Sequence, residues 1–227
     1  MMPIPAFGSH MSPTLKYTTY PQAEERINVY SHGLGVILSV LAMLLLIGKA
    51  QGALQLVSVS VFAASLIALY SSSTIYHSAV DVARRARLRI VDHAMIYVLI
   101  AGTYTPFSLL VLKGTVGWTI FGVSWAMAAT GIVIKLFHTG RYNNISTAMY
   151  VVMGWLIVFA IKPLIANLAP EGIAWLFAGG VFYTAGAIVY SIGRLPYGHA
   201  TFHICCLAGS ACHVVSVYFF VLLPINS

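Results

Sequence analysis

Seven long apolar segments follow one another along the sequence, each bounded by charged residues or by Gly and Pro. They cover residues 27–48, 53–76, 91–112, 116–137, 146–165, 172–192 and 198–223. A helix needs roughly 20 apolar residues to cross the hydrocarbon layer, so all seven segments are long enough to span it. Their polarity does not alternate as it would in a closed barrel, and helices are the remaining way to satisfy the backbone in lipid. The sequence therefore predicts an all-α bundle of seven transmembrane helices.

Composition supports a membrane environment and excludes several other classes of protein. Of the 227 residues, 59% are hydrophobic and 7% are charged. A soluble domain carries about 25% charged residues, so an ordinary cytosolic globule and a disordered or nucleic-acid-wrapping chain are both excluded. The net charge of +7 is interpreted as basic loops that face anionic lipid head groups. We expect a multi-pass protein of the cell membrane whose partners are membrane lipids; no pattern indicates nucleic acid or a particular protein partner.

The chain is predicted to form one membrane domain, residues 24–227, after an amino-terminal tail, residues 1–23. The run Gly8-Ser9-His10-Met11 resembles a remnant of cloning, so His10 is left out of the arguments about metal binding. No signal-peptide pattern precedes the first apolar segment, which is expected to act as the insertion signal itself.

The distribution of basic residues predicts the orientation of the bundle. With a cytoplasmic amino terminus, nine basic residues lie inside and three outside, which the positive-inside rule favours. The nine are Lys16, Arg26, Arg84, Arg85, Arg87, Arg89, Lys135, Arg141 and Arg194, and the three are Lys49, Lys113 and Lys162. Four of the nine are expected in a short loop between the second and third helices. The carboxyl terminus is then expected outside.

Ionisable and polar residues collect at one end of the predicted bundle. Such groups in lipid need a partner, a water-filled cavity or a metal. They are Glu25, Asn28, Ser31 and His32 on the first helix, Ser73 and His77 at the end of the second, Asp92 and His93 at the start of the third, and His199 and His203 on the seventh. Because successive helices run in opposite directions, all of these residues are expected at the same, cytoplasmic depth.

This convergence predicts a zinc site. His199 and His203 are four residues apart, so both rings lie on one helix face, and His77 can supply a third nitrogen. Three imidazoles with one open position are typical of catalytic zinc, whose remaining ligand is a water molecule. Asp92 is expected to act on that water as base or orienter. Ser73, one turn before His77, is expected to bond the substrate or the water.

Other interpretations of the same residues remain open. A His-x-x-x-His pair also occurs as two rings hydrogen-bonded to neighbouring helices. Glu25, Asn28 and His32 share a helix face. They either contact the metal ligands without binding the metal themselves, or they cap and pack the first helix. A further set of residues is expected to be packed or buried rather than bound to metal: His213, His93 and the thiols of Cys205, Cys206 and Cys212.

Several of these motifs resemble one family. Residues 25–32, Glu-Arg-Ile-Asn-Val-Tyr-Ser-His, resemble the Glu-x-x-Asn-x-x-Ser/Thr-His signature of the bacterial hemolysin III proteins, within the progestin and adipoQ receptor family that includes the adiponectin receptors. The motifs that follow in the family's order are Ser73 to His77, Asp92, Gly102 to Pro106, and His199 to His203. The resemblance implies seven helices, a cytoplasmic amino terminus, and zinc held by His77, His199 and His203 with Asp92 beside the bound water.

The resemblance and the residues together suggest three functions. The wider superfamily is similar to alkaline ceramidases, so the first hypothesis is a zinc-dependent hydrolase of lipid amide or ester bonds. The second is a non-enzymatic, receptor-like sensor of membrane-lipid homeostasis in which zinc is structural. The third is the cytolysis that the family's name implies.

Overall fold

A computed structural model describes residues 20–138 and 143–222. Within these ranges, seven helices are long and apolar enough to cross a membrane. They are α1 (Gln22–Lys49), α2 (Gly52–Ser78), α3 (Val82–Leu112), α4 (Gly114–Phe137), α5 (Ile145–Asn167), α6 (Pro170–Ile192) and α7 (Gly198–Val221). The described residues contain no strand. The predicted all-α, seven-helix fold is therefore confirmed. Most of the predicted tail lies outside the described residues, and the division at residue 24 stays a prediction.

The helices pack in chain order, and α7 packs against α1, so the order closes into a ring. The most extensive contacts join α6 to α7, α2 to α3 and α1 to α2. Helix α3 is the most enclosed: 72% of its most apolar window is buried, against at most 44% in any other helix. Residues on α3 therefore face several neighbouring helices at once, which is the position required to line an internal site.

The outer surface of the bundle is apolar. Large side chains such as Leu44 and Phe159 are 66% and 88% exposed. A surface of this kind is stable only against lipid, because the same side chains in water would form an unusually large apolar patch. The chain is a multi-pass membrane protein, as expected. The orientation of its ends stays a prediction from the basic residues.

The start of α3 corrects the prediction for the arginine-rich segment. Helix α3 begins at Val82, not at residue 91, so Arg84 to Arg89 lie in its first turns rather than in a loop. The Asp81 side chain caps the helix by accepting a hydrogen bond from the backbone N–H of Arg84 at 2.7 Å. Arg85 and Arg89 are buried among polar neighbours. Hydropathy identifies this arginine-rich segment only as polar, so it does not predict that the segment is helical. Elsewhere the predicted spans end within about five residues of the observed helices.

Three of the seven helices are irregular in their middle or at their end, and one of them, α7, ends in a π turn, Val217–Val221. Helix α3 passes from α-helix to a π turn, Phe107–Leu112, directly after Pro106. Helix α5 is interrupted by a short 3₁₀ turn, Leu156–Ala160. There the Tyr104 hydroxyl donates to the Gly154 carbonyl at 2.7 Å and accepts from the Ile157 N–H at 2.9 Å. A side chain of α3 thus satisfies backbone groups that a broken helix would otherwise leave unpaired in lipid.

Candidate metal centre

Three histidines meet at one end of the bundle, which we call the histidine end. His77 lies near the carboxyl end of α2, and His199 and His203 occupy the first turns of α7. The Nε2 atom of His199 is 3.1 Å from that of His77 and 3.0 Å from that of His203. All three rings are buried, and their candidate ligand atoms lie within 4.8 Å of one another. The structure therefore brings together the three histidines that the sequence analysis singled out.

A carboxylate fixes the orientation of His77. Its Nδ1 is 2.6 Å from Oε2 of Glu25 on α1. The carboxylate accepts a hydrogen bond from the protonated Nδ1, which leaves Nε2 with a free lone pair directed at the other two rings. The other oxygen of Glu25 accepts a hydrogen bond from Arg85 on α3. Arg85 also donates to the Ala79 carbonyl at 3.2 Å, so one chain of contacts ties α1, α2 and α3 together behind His77.

Glu24, the neighbour of Glu25, holds the start of α7. Its Oε1 accepts hydrogen bonds from the backbone N–H groups of His199 at 3.0 Å and Ala200 at 3.4 Å. The first N–H groups of a helix have no partner within the helix and attract negative charge. Glu24 therefore caps α7 from another helix and places His199 at a fixed depth.

Tyr20, just before α1, covers the group formed by His77, His199 and His203, which we call the cluster. Its ring stacks on that of His199 with the centroids 4.5 Å apart and an angle of 18° between the planes. Burial raises the pKa of Tyr20, so its hydroxyl stays neutral over the physiological range. The cluster is thus closed off on the side where α1 begins.

His32 and Asn28 lie behind His203. The rings of His32 and His203 stack in parallel with centroids 3.5 Å apart. Among the described residues, neither the nitrogens of His32 nor the side-chain atoms of Asn28 have a hydrogen-bond partner. Glu25, Asn28 and His32 therefore all face the interior, as their spacing predicts, and the Glu25 carboxylate contacts a cluster histidine, His77, through a side-chain hydrogen bond.

Asp92 and Ser73 lie beside the cluster in the wall of an internal cavity. Asp92 is close enough to His77 and Ser73 to interact with both. Both residues are buried, and the Ser73 hydroxyl has no hydrogen-bond partner of normal length within the described ranges. A carboxylate and a hydroxyl are thus directed at the space next to the three nitrogens. The catalytic roles of Asp92 and Ser73 stay predictions from the sequence.

The cavity begins at the histidine end and continues into the bundle. Its volume is about 140 Å³, and its wall is formed mainly by α3, α5, α6 and α7. His199, His203 and Asp92 line one end, and apolar side chains such as Phe107 and Leu176 line the other. The cavity thus has a polar, ionisable end at the three histidines and a mainly apolar lining elsewhere.

Other residues named in the sequence analysis lie outside the cluster. His93 is buried and lines the cavity, and its carbonyl accepts from the Tyr150 hydroxyl at 3.0 Å. His213 is buried deeper in the bundle, in a hydrogen bond with Leu176. Cys205, Cys206 and Cys212 are free thiols; the last two are buried and Cys205 is half-buried.

The donor set at the cluster fits a metal ion. Glu25 leaves His77 with a lone pair on Nε2, and the Nε2 atoms of His199 and His203 point at the same space. Lone pairs that face one another at about 3 Å repel unless a proton or a cation lies between them. Three imidazole nitrogens that approach from two helices are a normal donor set for a transition metal. A metal ion shared by the three rings would convert this repulsion into coordination.

The sequence analysis missed Glu24, Arg85 and Tyr20. One signal for Glu24 was available: the chain has only five Asp and Glu residues, and two of them are adjacent at the start of an apolar helix. Arg85 gave no comparable signal because it is one of several arginines in the same segment. The contact of Tyr20 with His199 joins residues far apart in the chain and depends on how the helices pack.

The fold and the cluster define a class of protein: a seven-helix membrane protein with three buried histidines gathered at one end of the bundle, able to hold a metal ion. Residues 20–214 match the family described as "Haemolysin-III related". The chain belongs to this family, as its motifs indicated.

Known relatives agree with this assignment. The chain is 44% identical to "Hemolysin-3 homolog" of Bacillus subtilis (strain 168) over 200 residues, which cover 87% of this chain and 94% of that protein. It is 43% identical to "Hemolysin-3" of Bacillus cereus over 202 residues, covering 88% and 92%. It is also 24% identical to the human "Monocyte to macrophage differentiation factor" over 223 residues, covering 93% and 90%. The expected location, a multi-pass protein of the cell membrane, is confirmed by the fold and the family together.

Proposed function

We propose that this protein is a membrane-embedded zinc hydrolase that cleaves the ester or amide bond of an acyl lipid. The observation that carries the proposal is the position of the three histidines at the end of a mainly apolar cavity, beside a buried carboxylate. Surface metal sites do not need an apolar cavity, and apolar cavities do not need an ionisable end. Both features together suit a substrate that has one reactive polar bond and a long apolar chain.

His77, His199 and His203 would hold the metal ion through their Nε2 atoms. Imidazole nitrogens alone suit several transition metals, and three histidines beside a carboxylate are most typical of catalytic zinc. When bound, zinc would supply Lewis-acid polarisation of the acyl carbonyl and acidification of a water molecule. Glu25 and Arg85 keep His77 in the tautomer and orientation that this binding requires.

Asp92 transfers the proton, and Ser73 positions the substrate or the water. Asp92 accepts a proton from the water that adds to the acyl carbonyl, and it returns the proton to the leaving oxygen or nitrogen when the acyl bond breaks. The products are a fatty acid and an alcohol or amine, so atoms and charge balance without a further reactant. The Ser73 hydroxyl, which lies beside Asp92 and has no hydrogen-bond partner of normal length in the described chain, donates to the substrate carbonyl or to the water. Tyr20 covers the cluster where α1 begins, which limits the access of bulk water.

The apolar part of the cavity would hold the acyl chain, so membrane lipids are the partners of this site. Entry from the membrane avoids moving the chain through water, which costs about 0.8 kcal/mol for each exposed methylene group.

Metal content and lipid turnover of purified protein test this proposal. We expect wild type to contain one zinc per chain and to release fatty acid from a mixture of acyl lipids. The variant His203→Ala should lose zinc and turnover together. Asp92→Asn should keep zinc and lose at least 100-fold in turnover, because a positioned base contributes about 10²–10⁴-fold. Gly122→Ala, whose added Cβ meets no atom within 4 Å, is the matched control and should retain both properties.

Two other results would favour the alternative functions. Wild type that binds zinc stoichiometrically, turns over no lipid and melts at a much lower temperature after chelation would support a structural metal. The observation behind that alternative is that the cluster and its supporting residues join α1, α2, α3 and α7. Lysis of red cells by the purified protein would support the cytolysis that the name of the Bacillus cereus relative suggests. Wild type without any bound metal contradicts both the hydrolase and the structural-metal proposals.

A further inference from the structure

The cavity has a second polar group far from the metal centre. His213 lines it on the same helix as His203, ten residues further along the chain. At 1.5 Å per residue the two positions are about 15 Å apart along the helix axis. His213 is 7% exposed and lies among apolar and aromatic side chains such as Phe107. An imidazole in such surroundings is costly unless both of its nitrogens have partners.

One nitrogen of His213 has a partner and the other does not. Nε2 lies 3.1 Å from the carbonyl oxygen of Leu176 on α6, so Nε2 carries the proton and donates it. A Cβ added at Gly179 would lie 2.3 Å from both Nε2 and Cδ2, so this edge of the ring is pressed against α6. Nδ1 lies on the opposite edge, turned away from α6. As the unprotonated nitrogen, Nδ1 is an acceptor, and it has no hydrogen-bond partner within the described residues.

The neighbouring hydroxyl groups cannot supply the missing proton. The Ser210 Oγ atom is 2.6 Å from the hydroxyl oxygens of both Tyr183 and Tyr70, and the Tyr70 hydroxyl is 3.1 Å from the Cys206 carbonyl. Each hydroxyl has one proton. Tyr183 donates to Ser210, Ser210 donates to Tyr70, and Tyr70 donates to the Cys206 carbonyl. All three hydroxyl protons are therefore already used in these hydrogen bonds. Although the Tyr183 ring centroid is 5.5 Å from that of His213, its hydroxyl proton is committed elsewhere.

We propose that His213 forms a distal subsite that accepts a hydrogen bond from a hydroxyl group on the apolar chain of the ligand. The inference rests on the proposed function for one point, that the head of the lipid lies at the metal centre. An extended chain advances about 1.2 Å per bond, so 15 Å correspond to about twelve bonds from the cluster. The preferred substrates are therefore lipids whose acyl chain is hydroxylated near that position. A ketone there has no proton to donate and leaves Nδ1 unpaired.

Direct binding of three fatty acids to the zinc-loaded protein in detergent tests the subsite. The probes are a saturated fatty acid, its analogue hydroxylated about twelve carbons from the carboxyl group, and the matching ketone. Wild type should bind the hydroxylated acid about tenfold more tightly than the ketone, because a hydrogen bond to a group that is otherwise buried and unpaired contributes about this factor.

The variant His213→Gln distinguishes the role of Nδ1 from that of Nε2. The Gln amide nitrogen takes the place of Nε2 and still donates to the Leu176 carbonyl, but no acceptor remains where Nδ1 lay. We expect the preference for the hydroxylated acid to fall to about twofold or less, with zinc content and affinity for the saturated acid unchanged. A second variant, His213→Asn, places an amide oxygen near the position of Nδ1 and should retain part of the preference, provided that its zinc content matches wild type.

Several outcomes overturn the subsite. They are equal affinity of wild type for the hydroxylated acid and the ketone, absence of binding for all three acids, and a preference that persists in His213→Gln. Lipid turnover measured on the same preparations keeps the two proposals apart. Wild type that prefers the hydroxylated acid but hydrolyses no lipid contradicts the hydrolase alone. Wild type that hydrolyses lipid without any preference contradicts the subsite alone.

Discussion

At the scale of single residues, the scarce carboxylates mark the site. The chain has five Asp and Glu residues, and three of them, Glu24, Glu25 and Asp92, lie at the histidine end. A carboxylate enclosed in a membrane bundle is costly unless it accepts hydrogen bonds or interacts with a positive charge. Glu24 accepts from the start of α7, and Glu25 contacts both His77 and Arg85. Their cost is thus offset by contacts that also fix the three histidines.

Removing the charge of Glu25 should weaken metal binding without removing a ligand. In Glu25→Gln the side chain still reaches His77, but a neutral amide oxygen stabilises the proton on Nδ1 less than a carboxylate does. Loss of such a supporting contact costs about 10–100-fold in metal affinity, and we expect a value in this range. Competition with a chelator of known zinc affinity measures the effect. Glu171→Gln, an exposed residue in the first turn of α6, is the control and should bind zinc as wild type does. Equal affinities for the two variants would show that Glu25 does not support His77.

At the scale of helices, two carboxylates cap helix starts in different ways. Asp81 caps α3 from the preceding residue in the chain, whereas Glu24 caps α7 from a different helix. Glu24→Ala and Asp81→Ala should each lower stability by about 1 kcal/mol, the usual cost of a lost cap. Only Glu24→Ala should also weaken zinc binding, because α7 carries two of the candidate ligands. Thermal melting in detergent and zinc titration measure the two effects. A zinc affinity that falls equally in both variants would indicate a general loss of structure instead.

Close packing of α2 against α3 gives a second test at this scale. A Cβ added at Gly102 would lie 2.2 Å from Oγ and 2.6 Å from Cβ of Ser65, so the helices must move apart in Gly102→Ala. Overpacking of this kind costs about 1–3 kcal/mol, and the melting temperature should fall. Gly122→Ala on the open face of α4 removes a flexible residue without a clash and should leave melting unchanged or raise it. A fall of equal size in both variants would show that close approach is not what requires Gly102.

Sequence patterns predicted the helices better than their ends, for a physical reason. Continuous apolar runs identify segments that lipid must surround, and all seven were found. The first turns of α3 were not predicted to be helical because Arg85 and Arg89 are buried among polar partners. A hydropathy pattern does not represent burial of this kind. The histidines were predictable from their spacing and from the alternating direction of the helices. The roles of Glu24 and Arg85 were not, because a residue's position on its own helix does not reveal which neighbouring helix it contacts.

At the scale of the whole molecule, the remaining question is which face of the membrane the histidine end occupies. Nine of the twelve basic residues fall on the side of the predicted cytoplasmic loops, which favours a cytoplasmic histidine end. A cysteine at Val80, 94% exposed between α2 and α3, reports on that end, and a cysteine at Ala169, exposed between α5 and α6, reports on the other. Both are introduced after the three native cysteines are replaced. A membrane-impermeant maleimide should label Ala169→Cys in intact cells and Val80→Cys only after permeabilisation. The opposite pattern would place the metal centre at the outer face, and a hydrolase there would draw its lipids from the outer leaflet instead of the cytoplasmic one.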